Sequence, residues 1–155
     1  MSYSFLASPY SDPSASLRHK RYEAAKEAIT WLLSPPGPIW CFSPIVYCHP
    51  LALENGLATD ADTWTIFNQN MIEGAFDVRV LVIPGWDTSL GVRHELTLAR
   101  QWDKPIIFMK PFGQSYRQTT EPPLPKKSST RTSQLLTQGG GGLTIAPIPS
   151  PTRKG

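Results

Sequence analysis

The segment Val78-Arg79-Val80-Leu81-Val82-Ile83 constrains the fold more than any other part of this chain. It is rich in β-branched residues and almost entirely apolar. Strands of this composition usually lie in the middle of a parallel sheet, where both of their faces are covered. The segment therefore predicts an α/β protein built around a parallel sheet.

Other segments fit the same architecture. Apolar runs predict further strands at 4–7, at 39–42 with a continuation at 45–48, and at 106–109. The order of strands and helices predicts a flavodoxin-like or Rossmann-like open parallel sheet of about four to five strands, with helices on both faces.

Helical spacing of apolar side chains predicts helices over about 15–34, 61–75 and 90–102. The first stops at Pro35-Pro36-Gly37-Pro38, where prolines prevent its continuation. The second is expected to turn Trp64, Phe67, Met71 and Ile72 inward. The predicted N-caps are, in chain order, Asp12 or Ser14, Thr59 or Asp60, and Ser89.

The chain changes character after about Gly113. Pro, Gly and Ser become frequent, as in Glu121-Pro122-Pro123-Leu124-Pro125 and in the glycine run at 139–142. Such a composition buries too little apolar surface to offset the entropy of ordering. We predict a folded domain over 1–113 and a largely disordered basic tail over 114–155. Much of the net charge of +3 lies in that tail, which favours a solvated segment and makes a nucleic-acid partner unlikely.

Cysteine content and hydropathy bound the cellular setting. Cys41 and Cys48 lie in an apolar run without a CxxC spacing, so we expect buried, reduced thiols and no metal site. The first residues lack the basic start and apolar core of a signal peptide. No apolar run approaches the roughly 20 residues that a membrane span requires. These features predict a cytoplasmic protein without a membrane partner.

Three predicted loops follow the carboxyl ends of strands. They are Ser8-Pro9-Tyr10, His49-Pro50, and the segment from Pro84 to Ser89. Ligands of open parallel sheets bind outside these strand ends, so the three loops are expected to converge on one site.

The third loop leads directly into a helix. Free amide groups at a helix start attract anions, Ser89 adds a hydroxyl, and Gly91 lets a ligand approach the backbone. Glu95 lies four residues after Gly91, on the same face of that helix. A carboxylate that faces a pocket can act as a nucleophile or a general base. Glu95 can equally be an ordinary solvated helix residue, and spacing alone favours this second interpretation.

Other candidates also have two interpretations. Trp86 can stack on a base or cap the core, and His49 can contact a phosphate or base or be a structural histidine. Asp77 is expected to cap a turn rather than contact a ligand. Gly85 and Asp87 belong to the predicted substrate-binding loop.

Two segments carry a family resemblance. Leu6-Ala7-Ser8-Pro9-Tyr10 and Ser89-Leu90-Gly91-Val92-Arg93-His94-Glu95-Leu96 resemble signature segments of the nucleoside 2-deoxyribosyltransferase superfamily, which includes 2′-deoxynucleoside 5′-phosphate N-hydrolases. The segment from Asn68 to Val78 resembles a third signature. The resemblance covers about 4–112 and extends to a small branch of phage and bacterial proteins without an assigned function.

The resemblance implies a mechanism. Glu95 matches the glutamate that attacks the anomeric carbon and forms a glycosyl-enzyme, which a second base or water then resolves with net retention. Tyr10 matches a tyrosine that positions this carboxylate. The family forms oligomers that complete the pocket, so a homo-oligomer is expected, with the 106–116 region as a possible contributor. No cofactor is implied.

Two departures from the family pattern bear on the substrate. Ser89 replaces the aspartate with which the transferases bind a free 5′-hydroxyl, and this favours a nucleoside 5′-monophosphate. Asn70 stands where an aspartate usually helps to protonate the leaving base, and an amide cannot supply that proton. General acid assistance contributes about 10²- to 10⁴-fold in rate. His94 or Asp87 could replace it, or the match could shift by two residues to Asn68.

The sequence thus predicts an enzyme that cleaves or transfers the N-glycosidic bond of a (deoxy)nucleoside or its 5′-monophosphate. The predicted catalytic residues are Glu95, Tyr10 and Asn70. A nucleotide-binding module with impaired catalysis is the alternative, and an interaction protein acting through its basic tail is a third.

Overall fold

A computed structural model of the chain describes residues 2–57 and 61–124. The elements in these residues, in chain order, are β1 Ser4–Ala7, α1 Ala15–Leu33, β2 Cys41–Phe42, α2 Pro44–Asn55, α3 Ala61–Gly74, β3 Asp77–Leu81, α4 Leu90–Gln101, β4 Ile106–Phe112 and β5 Ser115–Thr119. The predicted caps Ser14 and Ser89 are confirmed for α1 and α4. Thr59 and Asp60 lie outside the described residues.

The strands form one sheet in the order β2-β1-β3-β4-β5. β1 to β4 pair in parallel, and β5 pairs with β4 in the antiparallel sense. The apolar strand β3 lies at the centre, where Val78 is in register with Phe5 on one side and Ile106 on the other. The predicted α/β fold with an open, mostly parallel sheet is confirmed.

Both faces of the sheet carry a hydrophobic core, because successive side chains of a strand point to opposite faces. One core joins Phe5, Ala7, Val78 and Val80 to α3 and α4. The other joins Leu6, Leu81 and Met109 to buried residues of α1 and α2, which are Ala25, Ala28, Leu32 and Ile45. Helices therefore cover both faces, as predicted.

The predicted strand at 45–48 is wrong, because this segment begins the helix α2. The Ser43 hydroxyl accepts a hydrogen bond from the Val46 amide at 3.3 Å, and Pro44 occupies the first helical position, where its missing amide hydrogen costs nothing. Gly56, at φ 65°, ends the helix. His49 and Pro50 consequently lie inside a helix and not in a loop after β2.

The predicted domain boundary at 113 is too early. Gly113, at φ 61°, opens a turn, after which Ser115–Thr119 pairs with β4 as a fifth strand. This edge strand is largely exposed and polar, so it lacks the apolar alternation on which the prediction relied. The remainder of the predicted tail, 125–155, lies outside the described residues.

A buried polar network links three strands. The Arg79 guanidinium donates to Asp77 Oδ2 at 3.0 Å, to Ser4 Oγ at 3.1 Å and to Gln118 Oε1 at 2.7 Å. Its charge is thereby compensated inside the protein. In the described part of the chain, no helix is long and apolar enough to cross a membrane.

Candidate functional site

A cleft lies beyond the carboxyl ends of β1 and β3. The chain leaves β1 towards β2 on one side and leaves β3 towards β4 on the other, so this is the switch point of the sheet. The lining residues come from the loop after β1, from α2 and α3, and from the start of α4: Ser8, Tyr10, Ser11, Pro44, Ile45, Cys48, His49, Ala52, Trp64, Asn68, Ser89, Gly91 and Glu95.

Four buried polar atoms of this cleft lack a hydrogen-bond partner. They are Ser8 Oγ, His49 Nε2, Asn68 Oδ1 and Glu95 Oε2. Only two other side-chain atoms in the described part of the chain share this condition, Arg21 Nε and Asp77 Oδ1. Buried polar atoms in folded proteins nearly always have a partner, so this concentration indicates a site that receives a polar ligand or water.

Glu95 lies in the second turn of α4. Val92, Leu96 and Ala99 anchor the same helix in the core, and this orientation turns Glu95 inward, where it is only 8% exposed. Burial raises the pKa of Glu95 to about 8, so its neutral form predominates at neutral pH. The ordinary solvated residue that spacing favoured is therefore not what the structure contains.

The start of α4 leaves space beside Glu95. The Ser89 hydroxyl caps the helix by accepting from the Val92 amide at 3.3 Å. A side-chain carbon at Gly91 would meet only Ser89 Oγ, at 3.8 Å, so the absence of a side chain keeps this part of the cleft open. The first turn carries no acidic residue.

Tyr10 and His49 form a pair that also lines the cleft. The Tyr10 hydroxyl hydrogen-bonds to His49 Nδ1, and the rings meet edge to face at 5.4 Å. Burial raises the pKa of Tyr10, and the charge and hydrogen bonding of Arg18 oppose this effect. The structure contains no hydrogen bond between Tyr10 and Glu95, so Tyr10 does not hold that carboxylate as the resemblance implied.

The comparison with known protein families concerns this same region. Residues 2–111 match a family described as a domain of unknown function (DUF1937). The chain belongs to the DUF1937 family. The match includes β1 to β3, all four helices of the described residues and every residue that lines the cleft. No curated protein matches the chain.

Asn70 of this DUF1937 domain is exposed and lies outside the cleft, whereas Asn68 lines it. Two residues correspond to about 200° around a helix, so only one of these amides can face the sheet. This placement does not support the prediction of Asn70 as a site residue. It agrees with the alternative match, in which Asn68 takes that position.

The loop after β3 contributes less than expected. Trp86 packs edge to face on Phe108 at 5.5 Å and therefore belongs to the core. Asp87 is exposed, and the DUF1937 domain uses its backbone carbonyl to accept from Arg93 Nε at 2.9 Å. Gly85 has a φ of 92° and packs against Arg21. A side-chain carbon at this position would lie only 2.8 Å from Arg21 Nη2. None of the three lines the cleft, and neither does the fully buried Pro9.

Sequence reasoning missed the contribution of α2 and recognised only part of that of α3. Ile45, Cys48 and Ala52 line the cleft because α2 is a helix, which the Ser43-Pro44 pair could have indicated. Trp64 and Asn68 are one turn apart on α3, so the inward position predicted for Trp64 also places Asn68.

The thiols of the DUF1937 domain are poor nucleophiles. Burial raises the pKa of Cys41 to about 12 and that of Cys48 to about 11, so both remain protonated at neutral pH. Within the described residues, no group of His, Cys, Asp or Glu is arranged to hold a metal ion. Glu95 is the one carboxylate among the described residues that line the cleft.

Proposed function

We propose that this DUF1937 protein cleaves or transfers the N-glycosidic bond of a (deoxy)nucleoside or its 5′-monophosphate, with Glu95 as the nucleophile. The observation that carries the proposal is the position of Glu95: a buried carboxyl group whose Oε2 has no partner, at the wall of the cleft at the switch point of the sheet.

The start of α4 supports a phosphorylated substrate. Amide groups at a helix N-terminus and the helix dipole favour an anion. Ser89 and Gly91 line the cleft at this point, and the first turn contains no carboxylate to repel a phosphate. These features fit a 5′-phosphate better than a free 5′-hydroxyl.

The walls of the cleft offer contacts for a base. The Trp64 ring supplies an aromatic face on which a base can stack. Asn68 Oδ1 is buried without a partner, and an amide can exchange hydrogen bonds with the edge of a base. Base and phosphate on these two walls would place the sugar near Glu95.

The proposed reaction proceeds in two displacements. The ionised Glu95 carboxylate attacks the anomeric carbon, the bond to the base nitrogen breaks, and a glycosyl ester forms. Water or a second base then attacks the same carbon and releases Glu95. The product retains the configuration of the substrate.

Mass spectrometry tests this proposal directly. The intact protein is incubated with a 2-fluoro-2-deoxy nucleoside 5′-monophosphate, whose fluorine slows hydrolysis of the glycosyl ester. We expect an adduct with the mass of the sugar phosphate on Glu95. Glu95→Gln should give none, whereas Glu73→Gln, a change of an exposed glutamate on α3, should behave as the wild type. An adduct on another residue, or none with the wild type, would refute the assignment.

A nucleotide-binding module with impaired catalysis is the second candidate. It is favoured by the cleft's lack of a second carboxyl group in the described residues, since the amide of Asn68 cannot protonate a leaving base. Deoxynucleoside monophosphates that raise the melting temperature without any release of free base would support the module over the enzyme.

The setting of the protein is also proposed. The family resemblance implies a homo-oligomer that completes the cleft with residues of a second copy, and a substrate pool of nucleotides implies the cytoplasm. Sedimentation of the purified chain tests the first of these points.

A further inference from the structure

His49 is held firmly at the wall of the cleft. Its ring stacks on Tyr22 at 4.5 Å, meets Tyr10 edge to face at 5.4 Å, and lies 6.2 Å from His19. The residue is 6% exposed and lines the cleft. One ring nitrogen, Nδ1, is occupied by Tyr10, while Nε2 is buried without a partner.

The protonation of the His49 ring follows from its burial and from its bond with Tyr10. Burial lowers the pKa of His49, with His19 and Arg18 acting in the same direction and Glu23 against them, so the ring is neutral at neutral pH. The charge of Arg18 lowers the pKa of Tyr10, against the effect of burial. We assign the phenolic hydrogen to the bond with His49 Nδ1, because a neutral imidazole accepts at one nitrogen and carries its hydrogen on the other. The hydrogen of the neutral ring then lies on Nε2.

We propose that His49 is the catalytic acid that protonates the leaving base through Nε2, and that Tyr10 is the positioning residue which fixes its tautomer. This inference rests on the proposed N-glycosidic reaction and supplies the proton source that Asn68 cannot provide. It also gives Tyr10 a role that differs from holding Glu95.

The proton transfers balance over the two displacements. As the bond to the base breaks, the electron pair goes to the base nitrogen, which takes the proton from His49 Nε2. His49 Nδ1 takes the phenolic proton, and the phenolate lies beside Arg18. In the second displacement water attacks the anomeric carbon and gives a proton to Nε2, while Nδ1 returns its proton to Tyr10. The net reaction is hydrolysis.

A change of leaving group separates this role from a structural one. The experiment compares deoxynucleoside 5′-monophosphates with 4-nitrophenyl 2-deoxyriboside 5′-phosphate, whose leaving group departs as a stable anion without protonation. We expect His49→Gln to lower kcat for the nucleotide by about 10²-fold or more and to leave kcat for the nitrophenyl compound within a few-fold of the wild type. Tyr10→Phe should cause a similar loss with the nucleotide and also spare the nitrophenyl compound, because the proton that His49 passes on is replaced from Tyr10.

Two controls complete the design. His94→Gln changes an exposed histidine of α4 and should alter neither rate. Glu95→Gln should abolish turnover of both substrates. Equal losses on both substrates with His49→Gln would overturn the inference and leave the nucleophile in place. A wild type that turns over neither substrate would overturn the proposed reaction itself.

Discussion

The proposed reaction places two opposing requirements on the carboxyl group of Glu95. A nucleophile must be ionised, yet burial raises the pKa of this group to about 8. Below that pH only the ionised fraction can attack. The pH that suits the chemistry therefore lies above neutral.

We predict that kcat/KM for base release rises about tenfold per pH unit below pH 8 and levels off above it. The measurement is the initial rate at low substrate concentration across this range. An unphosphorylated nucleoside serves as the control, because a phosphate titrates near pH 6 and would distort the profile. A rate that falls through the same range would identify Glu95 as an acid instead.

The raised pKa of Glu95 also affects stability. The folded state binds the Glu95 proton up to about pH 8, whereas the unfolded state loses it near 4.5. Stability from this group is therefore complete below pH 4.5 and is lost as the pH rises towards 8. We predict that Glu95→Gln raises the free energy of unfolding by roughly a few kcal/mol at alkaline pH and has little effect in acid, because glutamine has no proton to lose. The magnitude follows from the rule that a tenfold change in proton affinity corresponds to about 1.4 kcal/mol. Urea denaturation at the two extremes checks the prediction, which fails if the gain is the same at both.

A side chain at Gly91 is expected to have opposite effects on stability and on nucleotide binding. In the empty cleft an alanine methyl would make only ordinary contact with Ser89 Oγ, at 3.8 Å. We predict that Gly91→Ala stabilises the fold by about 0.5–1 kcal/mol, the usual gain within a helix, and weakens nucleotide binding because the methyl fills the cleft. Thermal denaturation and ligand titration measure the two effects. Unchanged affinity would show that the ligand does not approach α4 here.

A residue of the site was predictable from the sequence where its place in a helix determines whether its side chain faces the cleft. Ser89 and Gly91 follow from their place at the start of α4, whereas Glu95 was assigned from the family resemblance, because spacing alone favoured a solvated residue. Asn68 and Asn70 lie on opposite faces of α3, and the inward position of Trp64, one turn before Asn68, is the sequence signal for which amide lines the cleft. The pairing of Tyr10 with His49 spans 39 residues of sequence and depends on the path of α2, so local patterns could not provide it.

At the scale of elements, α2 shows how two local signals compete. The β-branched residues Ile45 and Val46 favour a strand, whereas Ser43 and Pro44 favour a helix start. The segment forms a helix, whose apolar residues pack against α1, and Ile45 becomes part of the core. The sheet was predictable from β3 outward, but β5 was not, because an exposed edge strand is held by backbone pairing and needs no apolar pattern.

The cap of α2 should therefore affect the cleft. We predict that Ser43→Ala costs about 1 kcal/mol of stability by removing the acceptor of the Val46 amide, and also weakens nucleotide binding, because α2 carries Cys48 and His49. Ser14→Ala is the matched control, since it removes the cap of α1, whose start contributes no residue to the cleft. Equal effects of both variants on affinity would contradict the proposed dependence.

Over the whole molecule, buried charge is handled in two ways. Arg79 and Asp77 of β3 compensate each other, and Ser4 of β1 and Gln118 of β5 complete the network. Glu95 has no such partner and opens on the cleft. The first arrangement stabilises the fold, whereas the second lowers stability and leaves a reactive group available.

This contrast predicts opposite signs for the removal of the two charges. Arg79→Met leaves the Asp77 carboxylate buried and uncompensated, so we expect a loss of about 3–5 kcal/mol of stability at neutral pH. The double variant Asp77→Asn with Arg79→Met should recover most of that loss, because no bare charge remains. Denaturant unfolding of the three proteins beside Glu95→Gln measures these differences. If Arg79→Met alone costs under about 1 kcal/mol, the network does not hold β5 to the sheet through its charge, and backbone pairing with β4 is sufficient.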